Sequence, residues 1–169
     1  MIRSPKDEDI QGMLDCLRIA AGETDYILPY PEECRKHTVE NEKALFDRVN
    51  RADNEAMLIC LVEGKVAGSC QITWGNKMKI RHRASIGIVL LSEFWNQGIG
   101  TRLFQELIRI AEENPNLMQL ELDFIEGNNR ARALYEKMGF RVTGVKPDAI
   151  RLKGGTLLNE YSMIREIRR

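Results

Sequence analysis

The chain has 169 residues, with 25 basic against 25 acidic side chains, so its formal net charge at neutral pH is zero. That balance excludes nucleic-acid binding by bulk electrostatics, and no apolar run approaches the ~20 residues of a membrane-crossing helix. With 43% hydrophobic and 30% charged residues the composition is that of a folded globular chain, and the length fits one domain spanning 1–169 with a sizeable core.

Residues 1–3 open as a short strand. Ser4 and Pro5 read as an N-cap followed by a first-turn proline, and Ile10, Met13, Leu14 and Leu17 recur at helical spacing up to Gly22, a C-terminal stop. Residues 23–33 hold Pro29 and Pro31 and read as an ordered loop. Thr38 caps a second helix with Val39, Leu45, Phe46 and Val49 on its apolar face. Strands are predicted over 57–62 and 66–74, joined by the hairpin signal Glu63-Gly64-Lys65. A basic connector, 76–83, leads to a strand over 84–91. A helix over 99–113 follows, with Leu103, Leu107, Ile110 and Ala111 on one face, and Asn114-Pro115-Asn116 ends it. Residues 117–125 alternate Leu120, Leu122 and Phe124 with Glu121 and Asp123, as a strand does. A helix over 129–138 stops at Gly139, and strands near 140–145 and 157–165 complete the chain. This order gives an α/β chain, a mixed sheet with helices on both faces.

The cysteines, Cys16, Cys34, Cys60 and Cys70, form no C-x-x-C pair, and neither His37 nor His82 sits in a ligand pattern. No metal site is expected. Reduced, buried thiols and no apolar leader point to a cytoplasmic protein.

Two segments carry the functional signal. The first is Ile88 to Leu107, in which a strand enters a turn with Gly98 and Gly100 and then an amphipathic helix. Glycines allow positive φ and close approach of a ligand to the main chain. The first turn of the helix presents unpaired N–H groups at its positive end, which suits a phosphate. By itself the turn leaves two other readings open. It can serve only the strand-to-helix corner, or it can be a weak dinucleotide turn, with Leu103 where a third glycine would stand and Glu121 or Asp123 further on. The second segment is Leu120 to Phe140. Taken alone, Asn128 or Asn129 is an N-cap and Tyr135 a half-buried aromatic.

Together the segments resemble the GNAT superfamily of acyl-CoA-dependent N-acetyltransferases. That family's R/Q-x-x-G-x-G/A signature corresponds to Trp95-Asn96-Gln97-Gly98-Ile99-Gly100, with Trp95 in place of Arg or Gln. Its later signature, N-x-x-A-x-x-L-Y-x-K-x-G-F, is matched at each specified position from Asn128 to Phe140. The resemblance implies a mostly antiparallel mixed sheet of about seven strands, with two central strands splayed apart over 86–91 and 120–125. It implies acetyl-CoA as co-substrate. Main-chain groups of Leu90 and Leu91 would pair with its pantetheine arm. The turn formed by Gln97, Gly98, Ile99, Gly100, Thr101 and Arg102 would hold its pyrophosphate. Asn128 would bond the arm, and Tyr135 would serve as general acid for the departing thiolate. A homodimer is common in the family.

The acceptor, an amine of a small molecule or a peptide N-terminus, must lose a proton before attack. The base candidates are Glu23, Asp25, Glu93, Glu126 and Asp123, with Asp123 on the second splayed strand. An N–H near Leu90 or Leu91 would meet the oxyanion. Glu23, Asp25 and Tyr26 lie in the acidic, aromatic loop expected to face a cationic amine. Two rival functions remain at this stage, a non-catalytic acyl-CoA-binding regulatory module and a nicotinamide-dependent oxidoreductase.

Overall fold

The computed structural model describes residues 1–167. Its elements are β1 (Ile2–Arg3), α1 (Ile10–Glu23), α2 (Val39–Val49), β2 (Glu55–Val62), β3 (Lys65–Trp74), β4 (Arg83–Leu90), α3 (Ile99–Glu113), β5 (Gln119–Ile125), α4 (Asn129–Lys137), β6 (Arg141–Arg151) and β7 (Leu157–Glu166). The seven strands form one sheet in the order β1-β2-β3-β4-β5-β7-β6. All pairs are antiparallel except β4 with β5. This is the mixed, mostly antiparallel α/β sheet anticipated above. It leaves no doubly wound parallel core on which a nicotinamide site is built.

Period decides which face each element buries. In α3, Leu103, Phe104, Leu107, Ile108 and Ala111 are buried. They pack with Tyr135 and Phe140 against Ala84, Ile86, Leu120, Leu122 and Phe124 on one face of the sheet. On the other face α1 and α2 bring Ile10, Met13, Cys16, Phe46 and Val49 onto Met57, Ile59 and Val66. All four cysteines are free and buried. No helix among the described residues is long and apolar enough to cross a membrane.

Several local expectations shift. Ser4 does not start α1. A 3-10 turn at Asp7–Asp9 intervenes, because the buried Asp9 carboxylate accepts from the Arg3 guanidinium at 2.7 Å and from the Lys6 N–H at 2.8 Å. Gly22 stays inside α1, which ends where Thr24 turns extended. Thr38 does cap α2, its Oγ1 accepting from the Asn41 N–H at 3.2 Å. Strand β6 runs on to Arg151, past a break in register between Lys146 and Ile150 where Asp148 has φ +51°.

The feature that positions the site is the short pairing of β4 with β5. Only Arg83–Gln119, Ala84–Leu120 and Ser85–Glu121 match across them. Beyond Ser85, β4 stays with β3 as far as Leu90, while β5 stays with β7 as far as Ile125. The β3–β4 register, Ser69 with Val89 and Gly68 with Leu90, continues one step further, the Ala67 carbonyl accepting the Leu91 N–H at 2.9 Å. On its other side β3 carries a bulge, Cys60 facing Gly68 and Leu61 facing Val66, which leaves Ala67 without a partner on β2.

Candidate active site

A cavity of about 610 Å³ occupies the gap between the splayed strands. Its walls are Ile86 to Leu90, Leu122 to Phe124, the turn Gly98 to Thr101, and the face of α4 that carries Arg130, Leu134 and Lys137. These last residues lie four and three positions apart, the spacing that stacks side chains on one helix face. Asp123, Arg130 and Lys137 are the charged side chains in its lining.

The phosphate end is built from main chain. Asn96 and Gly98 both have positive φ, +58° and +75°. Gly98 ends the turn as the N-cap of α3, and a Cβ there would meet nothing within 4 Å. The first intrahelical bond of α3 runs from the Arg102 N–H to the Gly98 carbonyl at 3.1 Å. The amides of Ile99, Gly100 and Thr101 therefore have no partner within the helix and face outward at its positive end. Gly100 also lets two helices meet, since a Cβ there would stand 3.0 Å from Leu134 Cδ2. Lys137 reaches Thr101 Oγ1 at 3.4 Å. Open amides, an αL glycine and two cations fit a pyrophosphate group.

One part of the expected cradle is otherwise engaged. The Arg102 N–H is taken by Gly98, and its side chain is exposed outside the cavity. The Gln97 side chain turns away, its Nε2 donating to the Glu93 carbonyl at 2.8 Å, while its main-chain N–H makes no hydrogen bond among the described residues.

Along β4 the Leu91 N–H is bound to Ala67, and the Leu91 carbonyl accepts from the Phe94 N–H at 3.0 Å. The Leu91 N–H is thus spent, its carbonyl is drawn into the turn toward Phe94, and its side chain is buried. The antiparallel ladder alternates. With Leu91 bonded toward β3, the peptide groups of Ile88 and Leu90 turn the other way, into the gap. Of the two residues expected to pair with the arm, Leu90 is the one whose peptide faces the gap. Its carbonyl already accepts from the Trp95 indole N–H at 2.8 Å, which leaves a second lone pair and the N–H for a ligand.

Asn128 sits at the N-cap of α4, but its side chain makes no capping bond and lines the cavity. Tyr135 is 8% exposed. Its ring lies 5.4 Å from Phe104, 6.0 Å from Phe124 and 6.4 Å from Phe140, centroid to centroid. Burial pushes its phenol up to about 12, so it is a neutral donor across the physiological range. Asp123 is exposed on β5 and accepts from Ser162 Oγ at 2.5 Å. With Ile86 and Leu122 it lines both the cavity and a second groove of about 350 Å³, whose other walls include Arg83, Ser85, Glu121, Thr143 and Ser162.

Of the acceptor-loop residues, Tyr26 lines the cavity and its hydroxyl lies against Gly127. Glu23 does not line it. Its two oxygens accept from the Ser92 N–H and Oγ at 2.9 and 2.8 Å, tying the end of α1 to the segment after β4. Asp25 is exposed outside the cavity. Further along, the Tyr30 hydroxyl accepts from the Lys153 N–H at 2.9 Å, and Lys153 Nζ pairs with Glu32. Sequence reasoning passed over Arg130, which lies over the Trp95 ring. It stands within the quoted motif at a position the pattern leaves unspecified.

Residues 21–140 match the model of the acetyltransferase (GNAT) family. The chain is 27% identical over 108 residues to the L-amino acid N-acetyltransferase AaaT of Escherichia coli, an alignment covering 64% of this chain and 66% of that protein. The chain thus matches just under two thirds of that relative's length. A GNAT-family acetyltransferase from Streptococcus pneumoniae superposes with a TM-score of 0.92 at 26% identity, over 99% of both chains. YncA from Salmonella typhimurium, solved with its cofactor acetyl-CoA, has a TM-score of 0.84 at 19% identity, covering 100% of this chain and 94% of that one. The family match over most of the chain, with a sheet split between β4 and β5, makes this protein a member of the GNAT family of acetyltransferases.

Proposed function

We propose that the protein moves an acetyl group from acetyl-CoA to a primary amine of a small molecule or a peptide N-terminus, by direct attack with both substrates bound. The observation that carries the reading is the joining of three features in one cavity. These are the open edge of β4, the unpaired amides at the start of α3, and the Tyr135 hydroxyl. The solved complex of YncA with acetyl-CoA supports the choice of donor. AaaT, by its name, acts on L-amino acids, which supports an amine as the acceptor.

The thioester supplies the acyl carbon and a sulfur leaving group. Ile99, Gly100 and Thr101 amides hold the phosphates, Leu90 and Asn128 align the arm, and the Leu90 N–H meets the carbonyl oxygen as it gains charge. The amine enters from the groove that joins the cavity at Asp123. That carboxylate attracts the ammonium form and takes its proton, directly or through a water. As the new C–N bond forms and the C–S bond breaks, Tyr135 donates to the sulfur. A phenol near 12 holds its proton more tightly than a thiol near ~8.5 does. It therefore stabilises the thiolate by a hydrogen bond more than by complete transfer.

The test is a thermal-shift titration with acetyl-CoA, CoA and NAD, followed by detection of free thiol with a panel of amines. Shifts of the melting temperature with acetyl-CoA and CoA but not NAD, and thiol release that requires an amine, are expected. Binding without release for any amine would leave a regulatory acyl-CoA-binding module, and no shift with acetyl-CoA would end the reading. For the base, Asp123→Asn is expected to lower kcat about tenfold at saturating amine, with acetyl-CoA affinity unchanged. An unchanged kcat would take Asp123 out of the proton path.

A further inference from the structure

The guanidinium of Arg130 has no acidic partner among the described residues. Among the described residues no carboxylate lies within 4.0 Å of it, and no hydrogen bond engages it. The acid whose field it feels is Glu23, and both oxygens of Glu23 are committed to Ser92. What holds Arg130 is the face of Trp95. Trp95 is itself fixed, since its indole N–H donates to the Leu90 carbonyl at 2.8 Å. Stacking occupies the flat face of a guanidinium and leaves its in-plane N–H donors free, in the fork that matches a phosphate. The pair therefore presents an oriented, unsatisfied cation at the cavity wall.

Its place in the cavity gives it a target. Arg130 is in the first turn of α4, on the face it shares with Leu134 and Lys137, and Leu134 packs against Gly100 at the start of α3. The unpaired amides of α3 line the same cavity. Resting on the acetyl-CoA reading above, we propose that Arg130 is a ligand for the pyrophosphate of the acyl donor, and that Trp95 is its positioning residue. The amides would hold the pyrophosphate from α3 and the guanidinium from α4. Residue 95 then contributes no charge of its own. It supplies a flat surface that keeps the arginine from swinging into solvent, lowering the entropy lost when the phosphate binds.

Three ligands separate the possibilities when titrated calorimetrically into the full chain. CoA carries the pyrophosphate and a 3′-phosphate, 3′-dephospho-CoA carries the pyrophosphate alone, and pantetheine carries neither. Arg130→Gln is expected to raise the Kd of CoA and of 3′-dephospho-CoA about tenfold each, and to leave pantetheine unchanged. Trp95→Ala is expected to raise both phosphate-bearing Kd values about threefold, and to add nothing once Arg130 is Gln. Arg130 is exposed, so its replacement leaves the fold intact, and circular dichroism checks this. Unchanged CoA affinity in Arg130→Gln overturns the proposal. A loss seen with CoA but not with 3′-dephospho-CoA reassigns the arginine to the 3′-phosphate and also overturns it. Additive losses in the double variant overturn the role of Trp95. Failure of the unaltered protein to bind CoA would instead remove the acetyl-CoA reading, and this inference with it.

Discussion

Tyr135→Phe lowers kcat about a hundredfold, the scale of a proton donor lost from a transition state, while the Kd for acetyl-CoA stays within about twofold. The ring is caged by Phe104, Phe124 and Phe140, so phenylalanine keeps the packing and removes one oxygen. That oxygen has no hydrogen-bond partner among the described residues. Deleting it therefore leaves stability unchanged or slightly improved. A rate loss with an unchanged melting temperature would place the effect in the chemistry. Equal rates for the two proteins would remove Tyr135 from the mechanism. Alkaline pH adds a second signature. Burial raises the folded-state value of the phenol from about 10 to about 12, so the unfolded chain loses this proton first. Below pH ~10 the phenol is neutral in both states and costs the fold nothing, and as pH rises toward ~12 ionisation in the unfolded chain weakens the fold. Tyr135→Phe lacks that share of the alkaline loss, and melting curves across this window would show the difference.

Gly68→Ala is expected to cost about 3 kcal/mol of stability, at the upper end for overpacking, and to lower the melting temperature by roughly 10 °C. The backbone angles of Gly68 are not the difficulty, since its φ is not in the left-handed region. Space is. A Cβ there would stand 2.3 Å from the Val89 carbonyl oxygen and 2.9 Å from Leu90 Cα. These are backbone atoms of the adjacent strand, so relief requires β3 and β4 to separate near Leu90, at the end of β4 that has already left β5. Ligand affinity should fall as well, because Leu90 presents the peptide edge that faces the cavity. Gly144→Ala, where a Cβ meets nothing within 4 Å, serves as control and should stay within about 0.5 kcal/mol. A Gly68→Ala protein that melts with the control would show that β4 is free to move, and the account of the splay would fail.

The sequence was most informative where function constrains short spacings. Gly98, Gly100, Asn128 and Tyr135 lie within two local segments, and each segment contains the strand end and helix start that orient it. The helices α3 and α4 follow from apolar residues at three- and four-residue spacing and from the stops at Asn114 and Gly139. Long-range bonds were not legible. Glu23 lies 69 residues from Ser92, and nothing near Glu23 marks it as a tie and not a free carboxylate. Tyr30 is 123 residues from Lys153. Leu91 is lost to Ala67 because the β3–β4 register continues one step past Gly68 and Leu90, and strand periodicity shows which face a residue takes but not where a ladder ends. The Trp95–Arg130 stack joins two motifs whose patterns specify neither residue as part of a pair. The start of α1 moved because a buried Asp9–Arg3 pair outweighed the local capping signal at Ser4.

The three-residue ladder between β4 and β5 has a consequence for how the molecule opens. One block holds β1 to β4, and the other holds β5, β7 and β6, joined by seven pairs between β5 and β7. Separating the blocks breaks three matched pairs, fewer than parting β2 from β3, β3 from β4, β5 from β7 or β6 from β7, so they can fluctuate as two cooperative units below global unfolding. The shared core beneath α3 is what keeps them together. A molecule seated in the gap, touching β4 on one side and α4 on the other, would act as a staple across the seam. The gain in rigidity would extend to β6, which lies two strands from the cavity.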